Sequence, residues 1–138
     1  DRTTTLKTHE MTDQHGLHGA QAVLMVVDVR QALDWYRDVL GFHIDFEHGD
    51  PPTHARVSSG DRTHASAIRI RFEQGAPPSD PASGCYLYLH IGKGMDELCE
   101  EFRARGVDIQ EPPVDKPWGR QFSIRDMNGY ILSFLTAG

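Results

Sequence analysis

The sequence predicts an α+β fold of two tandem βαβββ modules, their strands forming a curled mixed sheet around a cleft. Three observations predict it. The pattern strand, helix, glycine, then three strands occurs twice within 138 residues. The run Leu40-Gly41-Phe42-His43-Ile44 is answered 65 residues later by Arg105-Gly106-Val107-Asp108-Ile109. Between the copies lies Glu73 to Gly84, a stretch with three prolines and two glycines that reads as a linker. Duplication on this scale means two supersecondary units sharing a core, because one unit alone covers too little of its apolar surface.

Residues 1–17 are polar and show no period, and are expected to form a flexible arm ahead of a single domain over 18–138, with modules at about 18–75 and 85–138. Met11 is a candidate natural start. His15 and His18 read as part of a solvated tail, and His9-Glu10 opens no zinc-protease helix, because position 13 is Asp.

Ala20 to Val27 is a continuous apolar run, expected as a buried strand. Asp28 is the N-cap of the first helix, with Gln31 at its third position. Val29, Leu33, Tyr36 and Leu40 form its apolar stripe, and Gly41 ends it. Strands follow at Phe42 to Glu47, Ala55 to Ser58 and Ala65 to Phe72. Turns separate them at Asp50-Pro51-Pro52 and Ser59-Gly60-Asp61. In the third of these strands Ile68, Ile70 and Phe72 alternate with Arg69 and Arg71, the period of a half-buried strand.

The second module repeats the plan. Cys85 to Ile91 is a strand with Leu87, Leu89 and Ile91 on one face and Tyr86, Tyr88 and His90 on the other. Met95, Leu98, Cys99 and Phe102 line a helix whose early turns carry Asp96, Glu97, Glu100 and Glu101, where the helix dipole favours negative charge. Gly92-Lys93-Gly94 lacks the spacing of a phosphate loop and reads as a connection. Gly106 ends the helix. Strands are expected at Val107 to Gln110, Gln121 to Ile124 and Tyr130 to Thr136, the last after the turn Asp126-Met127-Asn128-Gly129.

Composition narrows the function. A net charge of −6 with a quarter of residues charged argues against nucleic acid, which asks for a basic face. No apolar run approaches the ~20 residues of a membrane span, and no signal-peptide pattern opens the chain. Cys85 and Cys99 fit no zinc spacing and are too few for a disulfide framework, so a reducing cytoplasm is the expected compartment.

Val27-Asp28-Val29 followed by Ala32-Leu33-Asp34-Trp35-Tyr36-Arg37-Asp38-Val39-Leu40-Gly41-Phe42 resembles the first-module signature of the vicinal oxygen chelate superfamily, which holds glyoxalase I, extradiol dioxygenases and bleomycin-resistance proteins. Trp118-Gly119-Arg120-Gln121-Phe122 with Asp126-Met127-Asn128-Gly129-Tyr130 resembles its second-module ending, with Met127 where the family usually has proline. The resemblance covers roughly residues 20–137 and implies the fold. It leaves function open, because this fold carries lyases, isomerases, dioxygenases and metal-free binding proteins.

The resemblance also implies four positions where the family's enzymes hold a divalent ion. Here they are Gln21, about Arg69, about Tyr86, and Ser133. Hard divalent ions want carboxylate or imidazole, and an arginine would place a permanent positive charge beside a cation. No metal cofactor is therefore expected; the alternative is one divalent ion held unconventionally, with His90 joined by His18 or Gln21.

Strand alternation then lines the cleft with Gln21, Arg69, Arg71, Tyr86, Tyr88, His90 and Ser133, with Trp118 available to stack on a ligand. Arginine recognises carboxylate or phosphate through two parallel hydrogen bonds, and tyrosine offers a flat apolar face with a polar tip. Two functions follow. One is a metal-free binding protein of the bleomycin-resistance type that sequesters a planar or anionic small molecule. The other is an enzyme: a metal-dependent lyase, isomerase or dioxygenase with altered ligands, or an acid–base catalyst using His90 and Tyr86. A homodimer is expected from the resemblance, and would also cover exposed sheet edges.

Overall fold

The structure, a computed structural model, describes residues 7–64, 66–83 and 86–137. In chain order the elements are α1 (Thr8–Asp13), β1 (Ala22–Val26), α2 (Val29–Asp38), β2 (His43–Gly49), β3 (Pro52–Ser59), β4 (Ile68–Gln74), β5 (Leu87–His90), α3 (Met95–Ala104), β6 (Asp108–Lys116), β7 (Gly119–Arg125) and β8 (Ile131–Ala137). The two βαβββ modules are present. Hydrogen bonding arranges their strands as two mixed sheets of four, β1-β4-β3-β2 and β5-β8-β7-β6, in place of the one curled sheet expected. In each, the first strand of the module pairs in parallel with the last, and the other pairings are antiparallel.

Local signals explain the ends of the elements. The Asp28 carboxylate accepts the Gln31 amide at 3.0 Å, as its N-cap position requires. Helix α2 stops at Asp38, slightly before the expected glycine. The chain then closes back on itself, with the Phe42 amide donating to the Tyr36 carbonyl at 2.9 Å across Gly41, whose φ of 81° favours glycine. Strand β3 is longer than expected and starts at Pro52, inside the expected turn. Strand β4 begins at Ile68 and runs through Gln74 into the expected linker. The strand starts expected at Ala65 and Cys85 lie outside the described residues. Strand β6 extends to Lys116 despite Pro112 and Pro113. It is an edge strand, and both prolines fall in the register shift between Glu111 and Val114, where no ladder amide is needed. Within the expected arm, Thr8–Asp13 forms a six-residue helix, too short for periodicity to reveal.

One apolar cluster joins both modules. Tyr36 on α2 meets Phe42 and Phe72 edge-on, and Phe102 on α3 covers Phe122 and Phe134, which stack at 4.8 Å. Polar ties lock the modules together. The Tyr36 hydroxyl donates to Asp126 at 2.6 Å, the Tyr130 hydroxyl donates to the Met25 carbonyl at 2.6 Å, and Arg105 donates to the Val39 carbonyl at 3.0 Å.

Asp45 on β2 is nearly buried and serves three partners: Arg56 at 2.9 Å, the Ser58 hydroxyl at 2.7 Å and Arg62 at 3.6 Å. Burial pushes its carboxyl upward, but the hydrogen bonds from Ser58 and Arg56, with the charges of Arg56 and Arg62, outweigh burial and hold it below the usual carboxylate range. A carboxyl depressed on folding stabilises the native state above its unfolded pKa, and that contribution is lost as pH falls through the depressed native value. Asp45→Asn is therefore expected to flatten the acid limb of the stability–pH curve below about pH 4, measured by urea denaturation at successive pH values.

Candidate functional site

Each sheet turns one face to its helix and the other away, and strand register fixes which side chains share the outward face. In the first module Val23, Arg71, Arg56 and Phe46 form one row across β1, β4, β3 and β2. In the second, Tyr88, Ser133, Ser123 and Glu111 form the corresponding row across β5, β8, β7 and β6. The alternate residues Ile70, Phe72, Phe122, Ile124 and Leu132 are buried against the helices, because a strand reverses its side chains every residue.

The first-module face is cationic. Arg56 and Arg71 sit directly opposite each other and flank the Phe46 ring, at 5.5 and 5.2 Å from its centroid. Arg56 is neutralised by Asp45. Arg71 has no ion-pair partner among the described residues. Arg69 donates to the carbonyls of Arg62 at 2.8 Å and His64 at 3.2 Å, fastening the β3–β4 connection. Beside it a groove of about 580 Å³ is lined by His18, Gly19, Ala20, Gln21, Thr63, His64, Arg69 and Arg71. His18, expected in a solvated tail, thus lies at this groove.

The second-module face is aromatic and hydroxylic. Tyr86 and Tyr88 are 53% and 41% exposed, with rings edge to face at 5.4 Å. A hydrogen bond with Tyr86, reinforced by desolvation, raises the Tyr88 hydroxyl above its ordinary pKa, which suits a hydrogen-bonding role over that of a base. Ser133 is 2% exposed and shares a 2.7 Å hydrogen bond with Ser123. Trp118, half exposed between β6 and β7, donates its indole N–H to Gln121 Oε1 at 2.8 Å. Gln121 donates to Glu111 at 3.2 Å, and Lys116 lies 3.0 Å from the same carboxylate. Lys116 foremost, then Gln121, hold Glu111 below the usual carboxylate range despite some desolvation. This chain orients the indole. His90 is exposed and lines a second groove of about 470 Å³ with Gln21, Arg69 and Tyr88.

The structure thus groups Gln21 with Arg69, and Tyr88 with Ser133. It also separates positions that the sequence alignment treated as equivalent. Under the repeat, Ala22 paired with Ile70 answers Leu87 paired with Leu132, so the counterpart of Ser133 is Arg71, two residues beyond Arg69. Sequence reasoning missed Arg56, Phe46, Ser123, Gln121 and Glu111. The signal was there: Arg56 and Ser58 alternate with Ala55 and Val57, and Gln121 and Ser123 with Phe122 and Ile124.

Two sheets of four, each with one helix, joined as tandem βαβββ modules, define the class of protein. The chain belongs to the glyoxalase/bleomycin resistance protein/dioxygenase superfamily, whose family model matches residues 18–134. A crystal structure of the bleomycin-binding protein from bleomycin-producing Streptomyces verticillus, complexed with copper(II)-bleomycin, is 30% identical. That match covers 88% of this chain and 97% of that one, with a TM-score of 0.67. TioX from Micromonospora sp. ML1 is 25% identical over 89% and 100% of the two chains, with a TM-score of 0.66. TnmS3, an antibiotic binding protein from Streptomyces sp. CB03234, shares the fold at 22% identity, covering 88% and 97%, with a TM-score of 0.68. No curated protein gives a significant match.

Gln21, Arg69, Tyr86 and Ser133, the positions that the resemblance aligns with the metal ligands of the family's enzymes, do not fit a divalent ion, and Arg71, the register counterpart of Ser133, fits no better. The Ser133 hydroxyl is engaged with Ser123, Arg69 brings a fixed positive charge, and Gln21 and Tyr86 supply no carboxylate or imidazole. Among the described residues no three His, Cys, Asp or Glu side chains are placed to share an ion, and no helix is long and apolar enough to cross a membrane.

Proposed function

We propose that the chain is a small-molecule-binding protein that sequesters a planar or anionic ligand, without a metal at the family's usual position, and acts as a homodimer. The observation that carries this reading is the pair of outward faces. One presents Arg71 with no ion-pair partner among the described residues, and the other presents the open tyrosine pair Tyr86 and Tyr88. Such groups recognise charge and flat apolar surface. Likeness to the S. verticillus bleomycin-binding protein along nearly its whole length supports the same reading. Edge strands β1 and β5, with Val23 exposed on β1 and Tyr88 on β5, support a partner surface.

A thermal-shift screen of planar and anionic small molecules, with product analysis of each hit, tests the proposal. A ligand present at a hundred times its Kd is expected to stabilise the fold by about 2.7 kcal/mol and to be recovered unchanged. Turnover of a dicarbonyl or catechol, or about one tightly held metal ion per chain by elemental mass spectrometry, would replace this reading with the enzymatic one.

A further inference from the structure

The two grooves that meet at Arg69 have different linings. The larger has eight lining residues, none of them acidic, with two guanidinium groups and two histidines. The smaller shares Ala20, Gln21 and Arg69 with it and continues over Ile68, Leu87 and Tyr88. They therefore adjoin at Gln21 and Arg69. Resting on the proposed function, we infer that the ligand carries an oxyanion head on a planar apolar body. The head is seated at Arg71 and Arg69, and the body lies along Ile68, Leu87 and Tyr88.

Three features assign the head. Arg71 directly faces Arg56, and like charges opposed across a sheet repel. Asp45 offsets Arg56, while Arg71 lies over the Phe46 ring and has no ion-pair partner among the described residues, so its fork of donors is available to an anion. Arg69 spends two donors on the Arg62 and His64 carbonyls, which fixes Thr63 and His64 as the wall facing His18 and Gln21. His64 Nδ1 accepts the Ser66 amide at 3.1 Å, leaving Nε2 to carry the proton and donate. A carboxylate, a phosphate and a sulfonate share the chemistry that this groove offers. The body is assigned by the change of lining: past Arg69 the side chains are mostly aliphatic and aromatic, with Ser66 and His90 the polar exceptions, and the groove volumes are in the range used by small-molecule sites.

The test uses the full chain and four naphthalene probes: 2-naphthoate, 2-naphthyl phosphate, 2-naphthalenesulfonate and the neutral isostere naphthalene-2-carboxamide. Titration calorimetry reads the affinities. At least one anion is expected to bind roughly tenfold or more tightly than the carboxamide, and to weaken with added salt. The three anions rank carboxylate, phosphate and sulfonate against one another. Arg71→Gln is expected to remove that advantage, weakening the anion roughly tenfold while the carboxamide weakens much less; Arg71→Lys is expected to restore part of it, keeping the charge and losing the fork. Because Arg71→Gln relieves a like-charge opposition, its melting temperature should not fall, which separates lost binding from lost folding. Equal binding of carboxamide and anions, or anion binding indifferent to Arg71→Gln, overturns the head assignment and leaves the binding function standing. Failure of all four probes at millimolar concentration overturns the inference. The proposed function falls with it only if the wider thermal-shift screen is also empty.

Discussion

Asp126→Ala is expected to destabilise the protein by about 3–5 kcal/mol, read as a lower midpoint in urea with little change in slope. Asp126 is 4% exposed. One oxygen accepts the amides of Asn128 and Tyr130, each at 2.9 Å, and the other accepts the Tyr36 hydroxyl at 2.6 Å. Alanine leaves a buried hydroxyl and two amides without their acceptor, and each orphaned group costs about 1–3 kcal/mol. Asp126→Asn keeps one acceptor oxygen for the amides and should cost much less. A cost below about 1 kcal/mol for the alanine variant would show that water replaces the carboxylate. The pH dependence has the opposite sign to that of Asp45. Burial raises the Asp126 carboxyl above its ordinary value, only partly countered by Tyr36 and the turn amides. Between the ordinary value and the raised one the native state holds a proton that the unfolded chain does not, so this group adds stability as pH falls through that window.

Phe122→Ala is expected to cost a similar amount, about 3–5 kcal/mol, by opening a cavity that the packed core cannot refill. Phe122 is fully buried on β7, stacked on Phe134 with an interplanar angle of 12° and covered by Phe102 from α3. Phe122→Leu should recover much of the loss, and the comparison by denaturant titration isolates cavity volume from polarity. Because Gln121 and Ser123 flank Phe122 on the outward face, this loss should come with weaker ligand binding only as far as the folded fraction falls.

Much of the fold was legible because its signals are local. Asp28 as an N-cap, Gly41 and Gly106 at helix ends, and the alternation in β4 and β5 each depend on a few neighbouring residues. What the sequence could not supply is register between distant strands. It placed Ser133 among cleft residues, but not against Ser123, which takes up its hydroxyl. It aligned Arg69 where the sheet pairing makes Arg71 the counterpart. The run of β6 through Pro112 and Pro113 was not legible for a related reason: whether a proline breaks a strand depends on which edge it occupies and where the ladder slips, neither of which is local. The lining carried by β3 and β7 stayed hidden because those strands received bounds but no assignment of faces.

The counterpart relation between Arg71 and Ser133 has a consequence for how anything enters. Two copies of one unit with identical linings would accept a guest equally well forwards or backwards. Here the geometry is duplicated while the chemistry is not: guanidinium stands in one half where a hydroxyl stands in the other. Under the proposed binding function, a guest with unlike ends would meet a polarised frame and have one favoured heading, a sense of direction that a single module could not give.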